Sequence, residues 1–531
     1  MENRGLNRWG IGVHAGRPYE GILWLRAEAA TPVTVAAGER RRQADLRRAR
    51  LTAAGKDWQR LAFSLTPTAA DPAGRFVVKL TQPGVVTLGH AFLQPGAWGR
   101  FKGLPVRRDV VEGLLDQGIT VLRYGGSMVN NPAYRWKQMI GPRDRRPPYR
   151  GTWYPHSTNG WGIVDFMDLC EAAGFEYIPA FSADETPQDM ADFVEYAKGS
   201  AETRWGRQRI ADGHPAPYRL RYLEFGNEER VDERFAVRFE AVARAVWAKD
   251  RDVILVVGDF LYNHPIADPE KVTGAASGIT SLAGQRRILR LAREMNREVW
   301  FDVHVDTEGP GLSPSVRALP STMDALAKLA DGARHRVAVF ELNANNHSVR
   351  RALGNAVALH AIERDGRVPI VTSANGLQPD GQNDNGWNQG LLFLNPMKVW
   401  LQPPGHVTRM LSSNYLPRVV PCEVSGTARL DVHAKRSDDG RTLLVQVVNL
   451  DAKPLAATLR VDGYTTTDPN AQVTTLAGPL DGVNTAARPD AIAPRVSAWR
   501  HDLKDGATRY TFAPHSFTLI RFGPPVDDKR P

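Results

Sequence analysis

Seven short apolar runs, rich in β-branched residues and each followed by a helical pattern, recur along the middle of this 531-residue chain. This rhythm restricts the fold more than any other feature. The runs are ITVLRYGG (119–126), FEYIPAFSAD (175–184), RLRYLEFGNE (219–228), DVILVVGD (252–259), VWFDVHVD (299–306), RVAVFELNA (336–344) and VPIVTSAN (368–375). Apolar strands alternating with amphipathic helices belong to parallel sheets, either open and doubly wound or closed into a barrel. Each run carries a polar residue near its carboxyl end: Arg123, Asp184, Glu228, Asp259, His304, Glu341 and Asn375. A ring of polar groups at that end is the arrangement of a (β/α)8 barrel active site. No dinucleotide fingerprint or phosphate loop follows any run, so the doubly wound alternative lacks its usual ligand signal. The sequence predicts a (β/α)8 TIM-type barrel over residues 96–415.

Both flanks change character. Residues 1–95 and 416–531 break into strand-like runs separated by Gly, Pro and Asp, the pattern of β-sandwich domains. The front runs are GILWLRAEA, VTVAA, RLAFSLTP, RFVVKLTQ and GVVTLGHAFL. Apolar residues make up 42% and charged residues 24%, which excludes wholesale disorder. No stretch nears the roughly 20 uninterrupted apolar residues of a membrane-spanning helix. The opening MENRGLNRWGIGVH lacks the apolar block of a signal peptide. A cytoplasmic location is expected, with export if a longer N-terminus carried a leader. Cys170 and Cys422 lie far apart and predict neither a disulfide framework nor a zinc site. The net charge of +10 is spread along the chain, densest from Arg40 to Arg50. It suits a solvated basic face, with contact to an acidic polymer as the alternative. Neither a nucleic acid nor a membrane partner is expected, and the oligomeric state is not legible.

Two carboxylates stand out. Glu228 closes one run and Glu341 lies near the end of another. Counted as strands four and seven of a barrel, they face each other across its mouth. Paired carboxylates flanking a bond are the minimal apparatus for glycoside hydrolysis, one holding a proton while the other stays ionised. Asn227 offers an amide to a sugar hydroxyl. Arg123 is a fixed cation able to keep Glu341 ionised, and His304 is placed to orient either acid. Trp136, Trp153, Tyr154, Trp161 and Trp387 lie in loops after the strands, where flat aromatic walls suit the C–H faces of sugars. Each residue also has a plainer reading as a salt-bridge partner, a satisfied ring or loop packing. His156 and His347, with Asp184, Asp302 or Asp306, lack metal-ligand spacing, and no nucleophile elbow is present. No metal or cofactor is expected.

The segments LEFGNEE, TNGWGIVDFMDLCEAAGF, YRWKQMIGPRDRRP and NDNGWNQGLLFLNPMKVWLQPPGHVTRMLSSNY resemble glycoside hydrolase family 51, mainly α-L-arabinofuranosidases with some endo-β-glucanases and xylanases. The likeness runs from about Gly10 to the end. It implies a carbohydrate-binding-like sandwich before the barrel, Glu228 as general acid/base, Asn227 as a sugar ligand, and Glu341 as nucleophile with Arg123 beside it. The implied reaction releases terminal α-L-arabinofuranosyl residues from plant polysaccharides or oligosaccharides by double displacement. An endo-β-1,4-glucanase or xylanase, or a carbohydrate-binding protein without turnover, are the alternatives. The chain departs from the family in three places. It reads Arg-Tyr-Gly-Gly-Ser-Met where Arg-Phe-Pro-Gly-Gly-Asn is usual, leaving Asn130 or Asn131 to replace a sugar-binding Asn. Val305 and Asp306 follow His304 where aromatic residues are common, and Leu342 precedes Asn343 where Trp is common. The family's first barrel strand, with a sugar-binding Glu, is not found, so the chain is expected to begin after it. That leaves an unpaired edge unless GVVTLGHAFL or another segment closes the barrel.

Overall fold

The computed structural model describes residues 1–5, 9–39, 45–153, 156–381, 387–503 and 506–524. Residues Met1–Gly113, with two short later segments, form one compact unit, and most of the chain from Leu114 onward forms a second.

The first unit is a six-stranded antiparallel sheet: β1 (Glu2–Asn3), β2 (Ile11–Val13), β3 (Tyr19–Gly38), β4 (Asp45–Leu65), β5 (Asp71–Leu80) and β6 (Thr87–Pro95). GILWLRAEA and VTVAA, read as two runs, are one continuous strand, β3. The register of β3 with β4 is irregular between Leu25 and Thr31. Before that irregularity β3 pairs with β6, and after it with β5, while β4 follows it throughout. The inner faces of the two halves bury Leu23, Leu25, Val33, Val35, Phe63 and Phe76 in one core. Because β6 is committed to β3, GVVTLGHAFL does not close the barrel.

In the second unit all seven expected runs form parallel strands. They are β7 (Val121–Tyr124), β8 (Glu176–Phe181), β9 (Tyr222–Phe225), β10 (Ile254–Val257), β11 (Glu298–Asp302), β13 (Arg334–Asn343) and β14 (Val371–Ser373), with β12 (Val305–Asp306) a short extension on β13. They neighbour one another in chain order. Ile178, Tyr222, Val256, Trp300, Ala338 and Phe340 from successive strands form one buried cluster, the filled interior of a barrel. Edge strands β14 and β7 approach within 8 Å between Cα atoms, although among the described residues no ladder joins them. The result is a nearly closed, seven-stranded parallel barrel. Its helices bury periodic stripes. Glu233–Lys249, capped by the Asp232 side chain on the Phe235 amide, buries Phe235, Phe239, Val242 and Val246.

The same unit carries a six-stranded antiparallel sheet and a two-stranded ribbon towards the C-terminus. One sheet face packs on helices Val349–Asp365 and Pro403–Ser413 through Leu353, Val357, Val407, Leu444, Val448 and Phe517. The barrel helices and this sheet therefore share a core and belong to one compact unit. That core fixes the helix Val349–Asp365, which follows β13.

Candidate active site

β9 ends at Phe225, and the Gly226 amide still donates to the Phe181 carbonyl of β8 at 2.9 Å. The chain then turns through left-handed Gly226 (φ +81°) and left-handed Glu228 (φ +52°) before the Glu229 amide reaches the Gly258 carbonyl at 2.8 Å. Gly258 cannot be enlarged, since a Cβ there would meet the Gly226 carbonyl oxygen at 2.4 Å, and a Cβ on Gly226 would meet the Glu229 side chain at 2.4 Å. A positive φ at a glutamate costs about 1–3 kcal/mol and persists only where surroundings impose it. Here it lifts Glu228 above the strand end.

One oxygen of Glu228, one of Glu341 and Nδ1 of His304 all lie within 4.8 Å of one another. The expected pair of acids therefore converges. Arg123, with 6% of its side chain exposed, holds the floor. Its Nε and Nη2 donate to the two oxygens of Glu224 at 2.6 and 2.8 Å, its Nη1 to Glu341 at 2.5 Å, and its Nη2 also to the Asn227 side-chain oxygen at 2.7 Å. Asn343 donates to the other Glu341 oxygen at 2.9 Å. His304 is fully buried, with Nε2 2.8 Å from Asp302 and Nδ1 3.1 Å from Glu228. Asn130 donates to the Asn227 backbone carbonyl at 2.8 Å, so Asn130 adjoins the same turn. A Cβ on Gly126 would stand 3.9 Å from a Glu341 oxygen, in ordinary contact, so Gly126 adjoins that carboxylate.

Charge sorts the acids. Burial pushes the Glu341 carboxyl up, but His304 and Arg123 outweigh it and hold the group below the usual carboxylate range. Burial also disfavours a charged His304, yet Glu341 and Asp302 keep its proton well above the ordinary imidazole range. A doubly protonated ring donates to both Asp302 and Glu228. Glu224 responds oppositely: burial pushes it up to about 8 despite the Arg123 fork. The site thus holds an ionised Glu341 beside a hydrogen-bonded Glu228.

Glu224 was missed in sequence, and Asp302 was weighed only as a metal partner. Glu224 and Asp302 sit two residues beyond the inward-facing Tyr222 and Trp300, so counting by two along each strand reaches them. Arg351, fully buried in the helix after β13, was not singled out either. Its guanidinium donates to the carbonyls of Leu342 (3.0 Å), Asn346 (3.3 Å), Ala374 and Gln389 and to the Ser373 hydroxyl (3.2 Å). It clamps the residue after Glu341 to the end of β14 and to the segment after Trp387. Burial lowers its proton affinity to about 9.

The aromatic residues divide. Trp387 is 41% exposed, and the next amide, Asn388, donates to Asn345 just beyond β13 at 2.9 Å. Trp161 is half-buried two residues before the helix Ile163–Ala173, and Trp153 is exposed. Trp136 is no cleft wall: it is fully buried against Phe193, Tyr196 and Trp205. Tyr154 lies outside the described residues. Among the described residues, His156 and His347 do not converge with acids as a metal cluster; Glu228, His304 and Glu341 are the set close enough to hold an ion.

A family model described as the α-L-arabinofuranosidase 1 domain matches residues 114–273, and one described as the α-L-arabinofuranosidase C-terminal domain matches residues 337–516. The chain belongs to glycoside hydrolase family 51. An extracellular exo-α-L-arabinofuranosidase of Streptomyces chartreusis is 24% identical over 460 residues, covering 80% of this chain and 52% of the relative. This family 51 chain therefore spans about half the length of that relative. An intracellular exo-α-(1→5)-L-arabinofuranosidase of Bifidobacterium longum is 37% identical over 125 residues, covering 23% of this chain and 22% of its own. Relatives thus occur on both sides of the cell envelope. An arabinose-bound family 51 α-L-arabinofuranosidase structure shares the fold with a TM-score of 0.77 at 20% identity, over 98% of this chain and 84% of that one. Among the described residues no helix is long and apolar enough to cross a membrane.

Proposed function

We propose that this chain is a retaining α-L-arabinofuranosidase that removes terminal arabinofuranosyl units from polysaccharides or oligosaccharides. One observation carries the reading: oxygens of Glu228 and Glu341 lie within 4.8 Å of each other. Retaining glycosidases hold their two carboxyl groups about 5–5.5 Å apart, whereas inverting ones leave about 6.5–9.5 Å for a water.

In the first step a Glu341 oxygen attacks the anomeric carbon. The bond to the leaving oxygen breaks, and Glu228 gives that oxygen its proton. In the second step Glu228 takes a proton from water, and the hydroxide oxygen displaces Glu341, freeing the sugar and restoring both acids. Arg123 and Asn343 keep the attacking carboxylate aimed. His304 donates to Glu228 and steadies it through both proton transfers. Asn227, Asn130, Trp161 and Trp387 are assigned to sugar contact.

Methanolysis tests the stereochemistry. An aryl α-L-arabinofuranoside turned over in aqueous methanol is expected to give the methyl α-anomer as first product by proton NMR. A first-formed β-anomer, or no release at all, refutes the proposal.

A further inference from the structure

The first unit carries an outward face that the barrel chemistry does not use. Along β3, Leu23 and Leu25 are fully buried, so Trp24 and Arg26 face away from the core. Trp24 stands in register with Arg60 of β4 on one side and His90 of β6 on the other. Next to this row stands Trp58 of β4. A Cβ on Gly89, across β3 on β6, would stand 2.8 Å from its Cζ3 and 2.9 Å from its Cη2. The indole therefore reaches over β3 and rests where only a glycine leaves room. It nevertheless stays 43% exposed. The Arg26 guanidinium sits 4.8 Å from the ring centroid.

An exposed indole matches the apolar C–H face of a pyranose, and the guanidinium over part of its ring matches a carboxylate. Along β3, Glu20 is neutralised by Arg100 at 3.1 Å, and Glu28, two residues beyond Arg26, stands where the β3–β4 register is interrupted between Ala27 and Thr31. The chain's net charge of +10 favours an anionic partner. We infer that this face binds an acidic polysaccharide, a chain of uronate-bearing sugars. Trp58 stacks on a sugar ring, and Arg26 pairs with the carboxylate of that or the next unit. The proposal stands apart from the barrel site and from the reaction assigned to it.

Affinity electrophoresis of the full chain tests this with three soluble polymers: polygalacturonate, neutral debranched arabinan and dextran sulfate. Trp58→Ala keeps the net charge, so it separates stacking from bulk attraction to a polyanion. Polygalacturonate is expected to retard the wild type, and Trp58→Ala and Arg26→Gln to weaken that affinity about five- to tenfold. Dextran sulfate is expected to retard wild type and Trp58→Ala alike. Both variants keep wild-type hydrolysis of an aryl α-L-arabinofuranoside, which also certifies their folding. The inference is overturned if polygalacturonate leaves the wild type unretarded, if Trp58→Ala is retarded as strongly, or if neutral arabinan binds as tightly.

Discussion

Two fully buried imidazoles in the second unit sit in similar packing and opposite electrostatics. His304, at the barrel mouth, faces Asp302 at 2.8 Å and Glu228 at 3.1 Å, with Glu341 at 3.6 Å. His360, between the helix Val349–Asp365 and the C-terminal sheet, faces Asp431 at 2.5 Å and the Gln446 side chain at 3.0 Å. The His304 proton is held well above the ordinary range, whereas burial pulls His360 below it despite Asp431. The difference lies in charge balance. Around His360, Asp431 is shared with Arg364 at 3.0 Å, and nearby Glu363 is taken by Lys435 at 2.5 Å. Around His304, the acids Glu224, Glu228, Asp302 and Glu341 share Arg123 and the ring itself. A buried histidine–carboxylate pair is therefore no sign of function by itself. What sets the His304 site apart is an excess of acids, with one of them, Glu228, on a left-handed turn open to solvent.

The contrast breaks most sharply at the acids. Glu341→Ala is expected to lower kcat on an aryl α-L-arabinofuranoside by at least about 10⁴-fold, and Glu228→Ala by about 10²–10⁴-fold, with the melting temperature little changed. Steady-state kinetics beside thermal denaturation reads both.

The histidines sharpen it. His304→Asn is expected to cost about 10²-fold in kcat/KM and to move the acid limb of the pH profile upward, since Glu341 loses a cation that lowers its proton affinity. In the wild type that limb is expected below the roughly 4.3 of a free glutamate, because His304 and Arg123 hold the Glu341 carboxyl down. His360→Asn should leave kcat/KM within about twofold and cost roughly 2 kcal/mol of stability. Equal activity losses in the two variants would dissolve the distinction.

Arg351 tests how far the mouth reaches. Lys has one donor centre where the guanidinium serves three segments, so Arg351→Lys is expected to raise KM about tenfold while kcat falls less. A uniform loss of folded protein with unchanged KM would make the residue merely structural.

The smallest effect concerns a bystander. Burial pushes Glu185 up to about 7 while it accepts from the Trp136 amide at 3.0 Å. Its folded-state affinity for a proton exceeds the unfolded one, so it favours the fold at low pH, and that contribution fades as pH rises through about 7. Glu185→Gln is expected to gain roughly 2–4 °C in melting temperature at pH 8 and little at pH 5.

Much of the barrel was legible because parallel strands buried on both faces leave continuous β-branched runs, and the polar residues at their carboxyl ends gather at its mouth. Glu228, Glu341, Asn227, Arg123 and His304 were all found that way. Glu224 hid inside an apolar run, where one acid reads as noise until the inward register is known, and for the same reason Asp302 was weighed only as a metal partner and not as support for His304. Arg351 was hidden by its helix, since nothing in a periodic stripe tells a buried arginine from a surface one. The join within β3 was missed because Ala30, Thr31 and Pro32 look like a turn, while the register irregularity there lets the strand continue. Trp136 was misplaced for a related reason: composition cannot say which loop tryptophans turn inward.

The claim that Glu341 and Glu228 grip one ring from opposite faces is tested most directly by azide rescue. In Glu228→Ala, azide replaces the water of the second step and should yield an arabinosyl azide of retained α configuration. In Glu341→Gly, azide enters the space of the missing carboxylate and should yield the inverted β-azide in a single displacement. Opposite anomers from the two variants are the predicted result; the same anomer from both, or the assignments exchanged, contradicts it.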